Sequence, residues 1–134
     1  MKNLILISLF WISSSFAGIA VVANSDVGES KITKSKLKSI WARDKQKWNN
    51  GTKVKLIDNK SAAKKAFYSH LGKSQKSYKK KWMKLQLSGK GRGAKAVSDD
   101  SAVIGKVKST SGAIGFVDEA AAKASGLTVL MIIK

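Results

Sequence analysis

Few residues of this sequence have the chemistry that catalysis or metal binding requires. It contains no cysteine and a single histidine, His70, with no acidic residue within ten positions of it. A general base normally needs an orienting partner, and structural zinc sites need several cysteine or histidine ligands. The acidic pairs Asp99-Asp100 and Asp118-Glu119 precede helix-like segments, where capping accounts for them. The sequence therefore predicts a protein that is not an enzyme and has no metal or cofactor.

Residues suited to bind an anion are more numerous, and they lie in short polar turns. Backbone amides and hydroxyls at strand ends and helix starts form ready sites for oxyanions. Three turns fit this description, and the glycine-rich loop 88–93 adds two cations. This loop lacks the Lys-Ser/Thr ending of a P-loop, so a solvated surface loop is the competing interpretation. The candidate ligand-binding residues are Asn24, Ser25, Asn59, Ser61, Lys90, Arg92 and Gly112.

Positive charge dominates the sequence and is concentrated in one block. The 134 residues include 26 Lys+Arg and 8 Asp+Glu, which gives a net charge of +18. Twelve of these basic residues, and no acidic residue, fall within residues 59–98. Such a surface favours an anionic partner. Only one of the twelve is an arginine, whose planar fork suits base recognition, so no specific nucleic-acid partner is expected.

Alternating strand-like and helix-like segments must position these turns. Apolar runs predict strands at 18–23, 53–57, 112–117 and 127–133. Periodic apolar residues predict helices after Thr33, at 61–71, after Ser74, at 98–108 and at 118–124, with Asp58 and Asn59 beginning the second. We therefore expect an α/β domain with about four strands in a mixed or mainly parallel sheet flanked by helices.

Four aromatic residues lie on the apolar stripes of the predicted helices. This placement favours a role in the core over a role as a platform for stacking bases. The same pattern puts His70 at the edge of a buried face, as a partly buried structural residue. The four aromatic residues are Trp41, Phe67, Tyr78 and Trp82.

The first 17 residues have the pattern of an export signal. Lys2 precedes an apolar stretch at 4–12, and Ser15 and Ala17 provide small residues before a cleavage site. We expect cleavage after Ala17, which leaves a single domain at residues 18–134 in the bacterial periplasm. An uncleaved anchor is the competing interpretation, because the apolar residues that follow Gly18 could extend the segment toward a membrane span.

Six landmarks, taken in order, resemble a known family, the short type 2 periplasmic binding protein-like (PBP-like) proteins. These are relatives of the phosphate-binding protein of ABC transporters. The resemblance covers nearly all of residues 18–134. The landmarks are the opening strand ending at Asn24, Thr33…Leu37…Ile40-Trp41, Trp48-Asn49-Asn50-Gly51…Val54, Ala66-Phe67-Tyr68, Trp82…Leu87-Ser88-Gly89-Lys90-Gly91-Arg92, and Ser111-Gly112-Ala113-Ile114-Gly115-Phe116-Val117.

The resemblance implies an exported, solute-binding-like fold of the size of one lobe. Full-length members trap an anion between two lobes, and the phosphate binders hold it partly with a turn rich in glycine and hydroxyl residues. The matching stretch here is 58–63, in which Ser61 keeps a hydroxyl and Asp58 adds a negative charge. The resemblance thus implies a phosphate-like oxyanion as ligand and an ABC permease as partner.

Two functions remain open from the sequence. The first is an oxyanion-binding protein that acts in or beside ABC-type transport. The second is a basic periplasmic protein that docks to anionic envelope material or to an acidic partner. A nucleic-acid binder, which the charge alone would suggest, conflicts with the export signal.

Overall fold

The computed structural model describes residues 18–134, so the predicted export signal at 1–17 lies outside the described residues. The described part contains five strands and five helices, two of which follow one another without an intervening strand, and a short 3₁₀ turn at Ser25–Val27. None of the helices in residues 18–134 is long and apolar enough to cross a membrane. The strands are β1 (Ile19–Ala23), β2 (Lys55–Asn59), β3 (Lys95–Val97), β4 (Ala113–Asp118) and β5 (Thr128–Ile133). The helices are α1 (Lys34–Trp41), α2 (Ala63–Leu71), α3 (Gln75–Leu87), α4 (Asp100–Ser109) and α5 (Glu119–Ser125).

The strands form one mixed sheet in the order β3-β2-β4-β1-β5. β2 runs parallel to both β3 and β4, whereas β1 runs antiparallel to β4 and β5. The α/β class and the mixed sheet are confirmed. The short edge strand β3 was not predicted, because three residues after a glycine-rich loop are too few to show an alternating pattern.

Helices cover both faces of the sheet, which gives three layers. Successive side chains of β1 point to opposite faces, so Val21 belongs to one core cluster and Val22 to the other. The larger cluster packs the sheet against α1, α2 and α3. The smaller cluster packs it against α4 and α5 through Val103, Val107 and Ala122.

The four aromatic residues predicted for the core are all buried. Phe67 of α2 stacks on Phe116 of β4 with ring centroids 3.8 Å apart. The indole Nε1 of Trp82 donates to the backbone carbonyl of Trp41 over 2.8 Å, which ties α3 to α1. These aromatic residues therefore hold the helices on the sheet, and their rings are not free to stack on a ligand.

Several helix starts are confirmed by their capping bonds, but the start of α2 was predicted wrongly. Asp58 and Asn59 do not begin a helix; they are buried residues of β2, and α2 starts at Ala63 without a side-chain cap. The reason is the unpredicted strand β3, because Asp58 and Asn59 pair in parallel with Ala96 and Val97. The caps that match the prediction are Thr33, Ser74 and Asp99.

Candidate anion-binding site

The structure places the predicted site residues in three separate groups. One group lies at the carboxyl end of β2 and in the turn after it, one joins the end of β1 to the start of β4, and one lies in the loop before β3. Because β1 runs antiparallel to β4 and β2 runs parallel to it, the first two groups lie at opposite ends of the strands. The groups are Asn59 with Ser61, Asn24 with Ser25 and Gly112, and Lys90 with Arg92.

At the turn after β2, the side-chain donors bind a carboxylate of the protein itself. The Nδ2 of Asn59 donates to Asp100 Oδ1 over 2.8 Å and to the carbonyl of Phe116 over 2.9 Å. The hydroxyl of Ser61 donates to the same Asp100 Oδ1 over 3.1 Å. The backbone amide of Asp118 donates to Asp100 Oδ2 over 3.2 Å. Asp100 therefore takes the hydroxyl and amide donors that an oxyanion would need here.

A second, buried carboxylate lies beneath this turn. Asp58 is 1% exposed and accepts hydrogen bonds from Gln75 Nε2 over 2.6 Å and from the amide of Asn59 over 3.0 Å. Burial raises the pKa of the Tyr68 hydroxyl far above its ordinary value, and the nearby charge of Asp58 raises it further. No Lys or Arg among the described residues forms an ion pair with Asp58. The charge at this turn is therefore unfavourable to an anion.

The turn before β4 also holds a carboxylate of the protein. Asp26 accepts the backbone amide of Gly112 over 3.0 Å and the hydroxyl of Ser111. The Ser111 hydroxyl and the Gly112 amide hold the pKa of Asp26 below its ordinary value of 3.8. The amide of Gly112, proposed from the sequence as a ligand donor, is thus already used.

Asn24 has a structural role in the same region. Its Nδ2 donates to the carbonyls of Val107 and Thr110, each over 3.0 Å, at the C-terminal end of α4. Its Oδ1 accepts the amide of Asp26 over 3.0 Å. These bonds satisfy carbonyls that a helix end leaves unpaired. The neighbouring Ser25 is exposed and opens the 3₁₀ turn.

The third group lies in an open groove, which we call the basic groove, of about 800 Å³ beside β2 and the glycine-rich loop. Eight cations and no acidic residue line it. None of these cations forms an ion pair with a carboxylate of residues 18–134. The lining cations are Arg43, Lys47, Lys53, Lys55, Lys90, Arg92, Lys95 and Lys106.

Arg43 is the buried cation of the basic groove. It is 9% exposed, and one guanidinium nitrogen, Nη1, donates to the carbonyl of Val54 over 3.1 Å. Its Nε is buried and has no hydrogen-bond partner in the described part of the chain. Burial lowers the pKa of the guanidinium, which nonetheless stays protonated in proteins. The groove therefore contains a buried charge with an unused donor.

Gln46 fixes the glycine-rich loop against the wall of this groove. Its Nε2 donates to the carbonyl of Lys90 over 3.0 Å and to the carbonyl of Arg43 over 3.1 Å. A side chain at Gly91 would lie 2.9 Å from the same Nε2, so the loop backbone packs closely there. The sequence indicates a glycine-rich surface loop but not this anchoring bond, because Gln46 is 44 positions away from Lys90.

Neither a general base at His70 nor a metal site is supported by the geometry of the described residues. His70 is partly buried, and burial together with Lys34 and Lys38 lowers its pKa. Its Nε2 has no partner among the described residues. Within residues 18–134, no group of three or more His, Cys, Asp or Glu side chains is placed to hold a metal ion.

Solved structures similar to this one include an ABC-type phosphate transport receptor and PstS. The ABC-type phosphate transport receptor from Vibrio cholerae matches with a TM-score of 0.63 and 16% identity, over 86% of this chain and 46% of the receptor. PstS from Borrelia burgdorferi matches with a TM-score of 0.63 and 20% identity, over 85% of this chain and 46% of PstS. The chain has the fold of one lobe of a type 2 periplasmic binding protein.

The lobe spans less than half the length of these receptors. The expected resemblance to phosphate-binding proteins is confirmed at the level of the fold. The sequence of the lobe matches no family model and no curated protein. Any ligand of this lobe must therefore be inferred from its own residues.

Sequence reasoning missed the residues that decide the character of the site. Asp100 was interpreted only as a cap, although it also accepts bonds from Asn59, 41 positions away. Asp26 and Arg43 were not selected at all. Asp100 at a predicted helix start and the isolated Arg43 beside an Asp are both visible in the sequence. The groups that they contact, however, depend on the order of the strands.

Proposed function

We propose that this lobe belongs to an exported, non-enzymatic binding protein that takes an oxyanion such as phosphate, free or carried on a larger solute, into the basic groove. It would act in or beside ABC-type transport, with an ABC permease as partner. The observation that carries the proposal is the groove itself, with its eight cations and no acidic residue. Clustered charges of one sign raise the local concentration of an oppositely charged ligand.

The choice of the groove over the two polar turns rests on electrostatics. A phosphate at the turn after β2 would compete with Asp100 for the donors of Asn59 and Ser61. Two like charges 4 Å apart repel by about 4 kcal/mol at the effective dielectric constant of a protein surface. In this proposal, Lys90 and Arg92 contact the ligand, whereas the other five candidate residues support the fold.

The size and donor set of the basic groove indicate the kind of anion. A volume of about 800 Å³ is at the upper end of the range for small-molecule sites and exceeds what one phosphate needs. Arg92 offers a planar fork that binds phosphate through two parallel hydrogen bonds, and Arg43 adds a buried positive charge to the wall of the groove. We therefore expect a ligand with two neighbouring oxyanion groups to bind more tightly than inorganic phosphate.

Calorimetric titration of the purified protein with inorganic phosphate, sulfate and pyrophosphate tests the proposal. We expect saturable binding with pyrophosphate the tightest, and weakening as salt rises, because exposed charges are screened. Lys31→Ala is the matched control for the groove variant Arg92→Ala and should leave the affinity unchanged, since Lys31 is an exposed lysine beside Ile32, which bonds to β5 at the far edge of the sheet. Absence of saturable binding by all three anions would contradict the proposal.

Export to the periplasm is the part of the proposal that residues 1–17 support. Fractionation of producing cells should place the protein in the periplasm with its chain beginning at Gly18, as N-terminal sequencing would show. Recovery of the intact chain from the cytoplasm would contradict the export signal and would restore the nucleic-acid interpretation.

A second candidate function, docking to anionic envelope material or to an acidic partner, is favoured by the surface of α3. Five lysines of this helix face away from the core, and only Lys81 among them pairs with a carboxylate of the described residues, that of Asp44. The five are Lys76, Lys79, Lys80, Lys81 and Lys84. This surface lies outside the basic groove, so the two functions can be tested separately.

A further inference from the structure

The outer surface of α3 combines its lysines with exposed apolar side chains. Met83 is 63% exposed and Leu87 is 83% exposed, and they lie four positions apart on one face of the helix. Among residues 18–134, the other exposed large hydrophobic residue is Ile132 of β5, 39% exposed, at the opposite edge of the sheet. An exposed apolar pair on an otherwise strongly cationic helix needs an explanation.

The pair cannot turn into the core, because the opposite face of α3 is already packed. Tyr78 and Trp82 are buried, and Trp82 Nε1 is bonded to the carbonyl of Trp41 over 2.8 Å. A side chain at Gly93 would lie 2.8 Å from the Cβ of Trp82, so the following loop closes tightly on the helix as well. Met83 and Leu87 are thus held outward by the fold.

Cations surround the apolar pair. Between α3 and the glycine-rich loop lies a cleft of about 1090 Å³, whose lining includes both Met83 and Leu87. Lys79, Arg92 and Lys95 also line it, and no carboxylate does among the described residues. Lysine side chains bury their methylene stems against an apolar layer while their ammonium groups stay at its polar boundary.

We infer that this face of α3 docks on the surface of a membrane that contains anionic lipid. The lysines would bind the headgroups, while Met83 and Leu87 would enter the boundary between headgroups and acyl chains, as the apolar face of an interfacial helix does. The charge attraction of the lysines and the insertion of the apolar pair are two weak signals, which together give stable attachment where one alone does not.

Anionic lipid would contact both the lysines and the apolar pair of this surface. A polysaccharide or a nucleic-acid backbone would use the cations but would leave Met83 and Leu87 exposed to water. The inference deepens and rests on the second candidate function, docking to anionic envelope material, and it does not depend on ligand binding in the basic groove.

Sedimentation with vesicles tests the inference on the purified protein. We expect binding to vesicles of phosphatidylglycerol mixed with phosphatidylcholine, and at least tenfold weaker binding to phosphatidylcholine alone. The double variant Met83→Ser/Leu87→Ser should bind the anionic vesicles at least tenfold more weakly than the unchanged protein. Ile132→Ser is the matched control, an exposed apolar residue on the far edge strand, and should bind as the unchanged protein does.

Both sets of substitutions affect exposed side chains, so circular dichroism should show the fold unchanged. Equal binding of the double variant and the unchanged protein to anionic vesicles would overturn insertion and leave a purely electrostatic docking surface. Binding to immobilised heparin without any binding to anionic vesicles would also overturn the inference, while the second candidate function would survive. A failure of pyrophosphate to bind in the basic groove would contradict neither the vesicle result nor the heparin result.

Discussion

Two aspartates act as internal anions in this protein. Asp100 and Asp26 each accept bonds from residues that the sequence singled out as anion ligands. The contacts join residues 39, 41 and 86 positions apart in the chain. Sequence reasoning found the donors, because their types and places at strand ends are local features. It could not find the acceptors, because those contacts exist only once the strand order is known.

Asp100→Ala should destabilise the protein by about 1 to 3 kcal/mol, because it leaves the donors of Asn59, Ser61 and Asp118 without their acceptor. Urea unfolding measures the change. Asp44→Ala is the matched control, since Asp44 forms only an exposed ion pair with Lys81 and should cost less than about 1 kcal/mol. Equal losses in the two variants would show that Asp100 does not organise the turn.

Asp26→Asn should reduce stability most at neutral pH and least in acid. The folded-state pKa of Asp26 lies below its ordinary value of 3.8 because Ser111 and Gly112 donate to the carboxylate. The stability that this carboxylate contributes is therefore present above pH 3.8 and is lost as the pH falls through its folded-state pKa. Unfolding of both proteins by urea at pH 7 and near pH 3 measures the difference, and a difference independent of pH would contradict it.

The helices and strands that were predicted correctly are those whose sequence pattern lies within the element itself. α3 was predicted from the Ser74 cap and from the spacing of Tyr78 and Trp82, and the structure confirms all three. β3 was missed, and with it the extension of β2 through Asn59. Three residues carry no pattern of their own, and they form a strand only because β2 offers a free edge in parallel register.

Gly112 is the element-scale position where backbone shape matters most. Its φ is +73°, and a Cβ there would lie 1.9 Å from the carbonyl oxygen of Lys53, two residues before β2. Gly112→Ala should therefore cost at least about 2 kcal/mol from strain and from the separation of β2 and β4. Thermal unfolding followed by circular dichroism checks this.

Gly126→Ala is the control for that substitution. Gly126 has a similar φ of +76°, but a Cβ there meets no atom within 4 Å. It should cost about 1 kcal/mol from the backbone conformation alone. A similar loss in both variants would mean that the contact with Lys53 is not what limits residue 112.

At the scale of the whole molecule, charge is segregated along the sheet. Five of the eight acidic residues lie near the carboxyl ends of β2 and β4, whereas the basic groove and α3 are lined by cations without acids. The sequence predicted the net charge and the basic block, but not this separation, since five of the eight cations of the basic groove come from outside the block: Arg43, Lys47, Lys53, Lys55 and Lys106. The acidic residues are Asp58, Asp99, Asp100, Asp118 and Glu119.

Calorimetric titrations of Arg92→Ala and Ser61→Ala with pyrophosphate decide whether the anion binds in the basic groove. The basic groove predicts at least fivefold weaker binding for Arg92→Ala, because a fork-shaped cation is lost from the groove. It predicts unchanged affinity for Ser61→Ala, because the Ser61 hydroxyl is bonded to Asp100. The opposite result, with affinity lost in Ser61→Ala and kept in Arg92→Ala, would place the anion at the turn after β2 and contradict the account.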